Sequence, residues 1–500
     1  MRWIMSEINP LENLRAIHAN LETQDQRDRI LVEIGQCSAS IGAYKELENI
    51  KAQYSETHRI EVVGCSGACF SAPRVTGLGS LEISSMDQDF LDSQTRYVLG
   101  GIGDIAWDDI RQYISIGGFQ GLAKALSVTS EEVIEIVSDS GLRGRGGAYF
   151  PVAMKWRSAS SQKSDPVVLV NAEEGEPGLF KDRHLIEGIP FRVIEGALIA
   201  AFACGSEEVL IYVNAEADLA YSRLDVALQK CQNLGLVGKN VLGTDFSVDV
   251  RLFKGAGGYV CGEESTLINT LEGRRREPRL RPPFPTESGF RNQPTVVNNV
   301  ETLCNVPLVL NFGPEKFKSN GTKDAPGTKL LSLSGNMPCR GLAEVPFGIT
   351  LLTVLCDIGG IKDVNDLSGV AVGGPSSGIL PIGSLDLEIL PGVIDGKNVM
   401  LGAGGIVALS KDTDPYEATI HLSKYNAAES CGKCTPCREG APKIVRILED
   451  AKNSTDRSGE FKRLEMLAKT VNAASLCGLG QAAGNPLLSY LNHFSKEQGD

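Results

Sequence analysis

Cys431, Cys434 and Cys437 form a C-x2-C-x2-C run, and Cys477 follows further along the chain. Three thiolates on one tight loop can cap three corners of a cubane while a distant segment supplies the fourth, which is the ligand pattern of a [4Fe–4S] cluster. Structural zinc is the alternative, although it usually arrives as two separated ligand pairs. Cys37, Cys65 and Cys69 make a second, incomplete group of three, one short of the four donors a [2Fe–2S] cluster normally takes, so no cluster is expected there. Cys204, Cys231, Cys261, Cys304, Cys339 and Cys356 stand singly in apolar or loop contexts and read as buried small hydrophobes.

A second chemistry is spelled in glycines and carboxylates. Gly141, Gly144, Gly146 and Gly147 surround Arg143 and Arg145; glycines let backbone N–H groups close on a phosphate, and the arginines or Lys155 can neutralise it. The loop does not follow a strand, and Tyr149 occupies the place of the last glycine of G-x-G-x-x-G, so an ordinary dinucleotide turn is not indicated. Asn171, Glu173, Glu174 and Glu176 end an apolar strand, and Gly262, Glu263 and Glu264 follow another through the loop 255–259. The carboxyl ends of parallel strands are where open α/β sheets bind ligands. The basic stretch 274–281, stiffened by prolines up to Phe284, suits a dinucleotide pyrophosphate or an acidic partner better than nucleic acid.

The elements that must position these residues follow from periodicity. Strands at 29–35 and 59–64 flank a helix at 40–54. Apolar strands at 167–170, 209–213 and 248–253, with a helix near 191–202, describe a parallel sheet covered by helices. After residue 328 the chain turns to short glycine-punctuated strands, and from about residue 416 Ile444, Leu448, Leu464, Leu467 and Val471 recur at helical spacing. The reading is α/β and multi-domain: 1–100, a β-α-β unit; 101–328, the ligand-binding sheet; 329–412, β-rich; 413–500, a helical bundle holding the cluster. A formal charge of -13 and pI near 5.1 exclude a non-specific nucleic-acid binder, which needs a cationic face. No export signal or membrane span is visible: the best apolar stretch, 193–204, is too short and carries Glu195. A cytoplasmic location without direct membrane insertion is expected, where thiols stay reduced and an odd thirteen cysteines do not form a disulfide framework.

These motifs, in this order from about residue 141 to 486, resemble the FMN-bearing, NADH-oxidising subunit of respiratory complex I and its counterparts in NAD-linked hydrogenases and formate dehydrogenases. The resemblance implies a thioredoxin-like first domain, a Rossmann-like FMN domain, a β-grasp-like domain and a helical cluster domain. It implies that Gly144, Gly146, Gly147, Lys155, Asn171, Glu173, Glu174, Tyr259, Gly262, Glu263, Asn298, Asn299 and Thr302 surround FMN. Phe150, Glu176, Glu264, Arg281 and Phe284 would meet NAD(H), and Cys431, Cys434, Cys437 and Cys477 the [4Fe–4S] cluster. The implied chemistry is hydride transfer from nicotinamide to flavin and single-electron transfer onward to other iron–sulfur subunits of a soluble redox complex. Three positions depart from the family: Glu173 for aspartate, Arg281 for lysine, and Tyr149 for glycine. A ring at Tyr149 beside the nucleotide channel leaves a second expectation, a non-catalytic electron relay with a blocked nucleotide pocket. Gly42 stands where the resemblance puts a fourth N-terminal ligand.

Overall fold

Three sheets and one helical bundle take up the apolar patterns of the chain. The structure, a computed structural model, describes residues 9–21, 27–77, 84–452 and 458–495. In the first sheet β1 (Arg29–Glu33) pairs in parallel with β2 (Arg59–Val63) and antiparallel with β3 (Val75–Thr76). Helix Ala43–Tyr54 buries Ala43, Leu47 and Ile50, at helical spacing, against Ile30 and Val32.

The second sheet is wholly parallel, in the order β6-β5-β4-β7, from β4 (Val167–Ala172), β5 (Glu208–Val213), β6 (Asp249–Lys254) and β7 (Thr295–Asn299). Its strands are apolar on both faces. Val168 and Val170 join the large core under helices Pro190–Cys204 and Val300–Phe312, while Val167 and Leu169 face Leu267 and Ile268 of helix Glu264–Leu271. Strand β7 was not legible in the sequence, because only Val296 and Val297 mark it as apolar. Helix Pro10–Asn20 packs Leu14 into this central core rather than onto the first sheet.

The third sheet is mixed, ordered β11-β10-β12-β8-β9: β8 (Thr328–Gly335), β9 (Gly341–Pro346), β10 (Leu367–Val372), β11 (Gly378–Leu380) and β12 (Gly405–Ser410), with only β12 and β8 parallel. Leu351, Val354, Leu355 and Ile358 cover it. Helices Pro415–Ala428, Thr435–Ala451, Ser458–Ala474 and Asn485–His493 form the bundle around Ile444, Leu448, Leu464 and Val471. The architecture is therefore α/β and multi-domain, with one wholly parallel sheet and two mixed ones. Among the described residues no helix is long and apolar enough to cross a membrane.

Buried charge joins the second and third sheets. Lys329 of β8 donates to Glu301 at 2.5 Å, Lys181 reaches Glu301 at 3.2 Å and Asp182 at 2.7 Å, and all four side chains are at most 4% exposed. Glu301 also accepts from the Leu330 amide at 2.9 Å. Burial alone would push the Glu301 carboxyl up, but the two ammonium groups outweigh it and hold it below its ordinary value. Removing one partner of such a group leaves a stranded charge and costs about 3–5 kcal/mol. Glu301→Ala is accordingly expected to lower the urea-denaturation free energy by about that much. Glu315→Ala, which breaks only an exposed pair with Lys318, should cost less than about 1 kcal/mol.

Candidate functional site

Parallel register brings the carboxyl ends of β4, β6 and β7 to one edge of the second sheet. Asn171 and Glu173 leave β4 there, the glycine loop 255–258 leaves β6, and Asn298 and Asn299 end β7. The loop 144–147 closes the same edge: a Cβ on Gly146 would lie 3.1 Å from that of Asn299, and one on Gly147 3.4 Å from the Gly402 backbone. Thr302 holds this loop, its hydroxyl accepting from the Arg145 amide at 2.8 Å.

The acidic run divides by role. Glu174 accepts the amides of Asp182 and Arg183 at 2.9 and 3.1 Å, so both its oxygens cap helix Lys181–Gly188. Glu263 caps helix Glu264–Leu271 through the Thr266 amide at 2.8 Å and takes an ion pair from Arg281 on its other oxygen. Asn298 accepts from Trp156 Nε1 at 2.9 Å, and Asn171 donates to the Gly262 carbonyl at 2.8 Å. Two carboxylate oxygens are left over: Glu173 Oε2 and Glu176 Oε1 are buried without a partner. Burial pushes the Glu173 carboxyl up to about 7, against the Asn214 hydrogen bond, and Glu176 up to about 8.

At the mouth of this edge Phe150 and Phe284 are 48% and 50% exposed. Lys155 lies 3.4 Å from Glu264 and donates to the Val297 carbonyl at 3.0 Å, and Arg281 pairs with Glu264 at 3.0 Å. Two expectations need correction here. The Arg145 guanidinium does not face the edge: it is buried, donates to the Thr328 and Pro326 carbonyls at 3.0 and 3.1 Å, and lies 4.8 Å over the Phe347 ring. Tyr149 does not project into a channel either. Its φ of 52° turns the ring into the core of the third sheet, 5% exposed, where its hydroxyl donates to the Gly402 carbonyl at 2.8 Å.

Cys431, Cys434, Cys437 and Cys477 pack together around Val260 and Leu479, with Tyr259 against them. Cys434 precedes helix Thr435–Ala451 and Cys477 precedes helix Gly478–Ala482, so two helix N-termini face the thiols. Burial pushes the Cys477 thiol up, opposed by hydrogen bonds from the Gly480 and Leu479 amides, which would stabilise a ligated thiolate. Among the described residues no three His, Cys, Asp or Glu side chains converge tightly enough for one bare metal ion. Tetrahedral zinc would need sulfurs about 3.8 Å apart, from Zn–S bonds near 2.3 Å; a cubane holds its thiolates further apart, and the apolar pocket fits it.

Comparison with known proteins agrees with both halves of the site. The Nuo51 FMN-binding domain matches residues 137–308, and the NADH-ubiquinone oxidoreductase-F iron-sulfur binding region matches residues 417–500. The chain is 40% identical over 406 residues to the NADP-reducing hydrogenase subunit HndC of Solidesulfovibrio fructosivorans, covering 81% of this chain and 83% of that one. It is 39% identical over 392 residues to a subunit of the NADH-quinone oxidoreductase of Escherichia coli, covering 77% and 88%. The chain belongs to the Nuo51 family of NADH-quinone oxidoreductase subunits. Its fold also follows a chain of the NAD+-reducing [NiFe]-hydrogenase in the H2-reduced state, with a TM-score of 0.70, 27% identity, and coverage of 97% of this chain and 87% of that one.

Several residues of this Nuo51-type site escaped the sequence reading. Tyr425 donates to the Gly175 carbonyl at 2.7 Å, Glu429 accepts from the Tyr259 amide at 2.9 Å, and Tyr259 shares a 2.7 Å hydrogen bond with Ser376. These lie on helices and loops with no local motif, and only packing of the bundle against the sheet edge brings them in. The raised carboxyls yield a signed prediction. An acid held above its ordinary 4.5 keeps its proton in the folded chain where the unfolded chain has lost it, so stability declines as pH rises from about 4.5 towards about 8. Thermal melts of the ligand-free protein should show this decline. Glu176→Gln, which stays neutral, should remove up to about 1.4 kcal/mol per pH unit of the slope; an unchanged slope would refute the assignment.

Proposed function

We propose that this chain is the flavoprotein subunit that exchanges electrons between NAD(H) and iron–sulfur clusters within a larger redox complex of the formate dehydrogenase, hydrogenase or complex I kind, working in the cytoplasm beside other iron–sulfur subunits. Under this reading the first unit is a thioredoxin-like domain, residues 101–328 a Rossmann-like FMN- and NAD(H)-binding domain, 329–412 a β-grasp-like domain and 413–500 the helical [4Fe–4S] domain. The observation that carries it is Tyr259. One residue packs on the cluster cysteines and hydrogen-bonds to Ser376 and, through its amide, to Glu429, so it links the loop after β6 to the cysteine pocket.

The donor set suits FMN. A Cβ on Gly144 would meet nothing nearer than the Phe150 carbonyl at 3.6 Å, and one on Gly262 nothing nearer than Glu173 at 3.7 Å. The protein's own packing leaves room at both, and a ligand drawn against the backbone accounts for glycine there. Glu173 Oε2 offers an acceptor to a flavin or ribose donor, and Asn171, Asn299 and Thr302 hold the loops that frame it. Phe150 and Phe284 offer rings for adenine, Lys155 offers charge to the FMN phosphate, and Arg281 offers charge to the pyrophosphate of NAD(H). Glu176, neutral below about pH 8, can both donate to and accept from a carboxamide. The flavin, when bound, supplies two-electron hydride chemistry on one side and one-electron chemistry on the other.

Anaerobic NADH titration of the FMN- and cluster-reconstituted protein tests the reading: the flavin absorbance should bleach and a reduced-cluster EPR signal should follow. Reduction by dithionite but not by NADH would sink it in favour of the blocked relay. Because Tyr149 turns away from the edge, Tyr149→Phe should leave the NADH–dye rate within about twofold and cost about 1 kcal/mol for the lost hydrogen bond. Tyr149→Gly, which removes the ring, should bring no gain in NADH–dye rate; a large gain would restore the relay reading.

A further inference from the structure

The basic stretch 274–281, only partly used in the function above, divides in the structure. Arg281 turns to Glu263 and Glu264 at the nucleotide edge, and Arg279 is spent inside, donating to Asn269 at 2.8 Å and to the Gly289 carbonyl at 2.9 Å. Arg274 and Arg275 turn outward, 65% and 78% exposed. Arg276, also exposed, donates to the Gly257 carbonyl at 2.6 Å.

The cluster loop is fastened to this stretch. Lys433, between Cys431 and Cys434, reaches the Pro278 carbonyl at 2.7 Å and Glu277 at 3.2 Å, and the exposed Arg438 donates to the Gly432 carbonyl at 2.9 Å. Carboxylates are too few to neutralise these cations. Glu277 is shared between Lys433 and Arg275, the latter at 3.8 Å, and Glu272 between Arg274 and Arg279 at 3.0 and 2.7 Å. A positive face thus borders a loop whose Cys431 and Cys434 are themselves half-buried.

Two features distinguish this face from an ordinary solvated run of charge. It lies on a chain of formal charge -13, so an acidic protein is repelled elsewhere and drawn here. Leu280, two residues past the Pro278 that Lys433 holds, is 70% exposed, and an exposed apolar side chain beside arginines has the composition of an interface. Electron tunnelling slows steeply with distance, so a one-electron partner of the cluster must come over this loop. Resting on the electron-exchange reading above, we propose that this face docks an iron–sulfur protein whose own cluster lies in an acidic surface. Arg274 and Arg275 attract and orient that partner, while Lys433 and Arg438 hold the loop it covers. One electron crosses per encounter, and no bond forms or breaks.

Stopped-flow mixing of the full chain, loaded with FMN and cluster, with a reduced, desalted plant-type [2Fe–2S] ferredoxin as the acidic probe tests this. The second-order rate of ferredoxin oxidation should fall about tenfold or more between low salt and about 0.5 M salt. Arg274→Glu/Arg275→Glu should lower it about tenfold at low salt and match the unaltered protein at high salt, because exposed interface charges act mainly on association. Arg274→Gln/Arg275→Gln should fall between the two, and it decides the matter if the reversed variant loses FMN or iron. The same reversal at Lys316 and Lys318, in helix Pro314–Lys318, should change the rate less than about twofold. NADH–dye rates should stay level in every variant. Their absence in the unaltered protein would sink the functional reading alone, since the ferredoxin step reads the cluster without NADH. A ferredoxin rate indifferent to salt, an equal loss from the Lys316/Lys318 reversal, an undiminished rate in Arg274→Glu/Arg275→Glu, or no ferredoxin oxidation by a cluster that dithionite reduces would each overturn the docking proposal.

Discussion

Four buried charges set the frame on which the site is built. Lys181 and Asp182 open the helix after the acidic loop, Glu301 opens the helix after β7, and Lys329 lies in β8. Two cations and two anions in a dry interior satisfy one another only when all three elements are in place. Asp182 extends the network, accepting from Asn299 at 2.7 Å and from the Glu301 amide at 3.1 Å. The end of β7, the loop after β4 and the third sheet are thus held in mutual register by charges that tolerate no gap. Burial lowers the Lys329 ammonium to about 8, while around Lys181 the carboxylates outweigh burial and raise it. Lys329 is the weaker base because burial, together with the neighbouring Lys181 ammonium, outweighs the carboxylates about it.

On that frame, chemically identical side chains take different work. Glu174 and Glu263 spend their oxygens on helix N-termini, where partial positive charge favours carboxylate. Glu173 and Glu176 keep one unpartnered buried oxygen each, an energetic liability that a ligand with N–H or O–H groups would relieve. The first pair caps helices, and the second keeps a buried oxygen free of any partner. Arg145 and Tyr149 show the same division in the glycine loop: both turn into the third sheet and fasten the loop from behind, leaving its glycine backbone facing the edge.

Long-range contacts also make one interior of separate units. The Glu344 carboxylate of β9 accepts the Val98 and Leu99 amides at 2.8 and 2.9 Å, and the Gly67 carbonyl accepts the Leu342 amide at 2.9 Å. With the Gln36 amide also donating to Glu187 of helix Lys181–Gly188 at 2.9 Å, the first sheet is seated on both neighbours, and its cysteines share a cavity with His184. The cluster loop is anchored in the same manner, Lys433 donating to the Pro278 carbonyl at 2.7 Å and pairing with Glu277 at 3.2 Å. This gives the basic stretch 274–281 a structural use within the chain.

By itself the sequence determined whatever depends on short spacing. The C-x2-C-x2-C loop, the glycine loop, the period-two and helical runs and the acidic strand ends are local patterns, and each is legible from residue types alone. So is the α/β, multi-domain class, because alternating strands and helices admit few other arrangements. Tertiary structure decided everything that joins distant residues. It made β7 a strand through its pairing with β4, turned Tyr149 and Arg145 away from the edge, assigned Glu174 to a cap, and set His184 in one cavity with three cysteines more than a hundred residues earlier. A side chain's partner across such a span is chosen by packing of whole elements and by the cost of leaving a buried polar atom alone, and neither is written in the residue types around it.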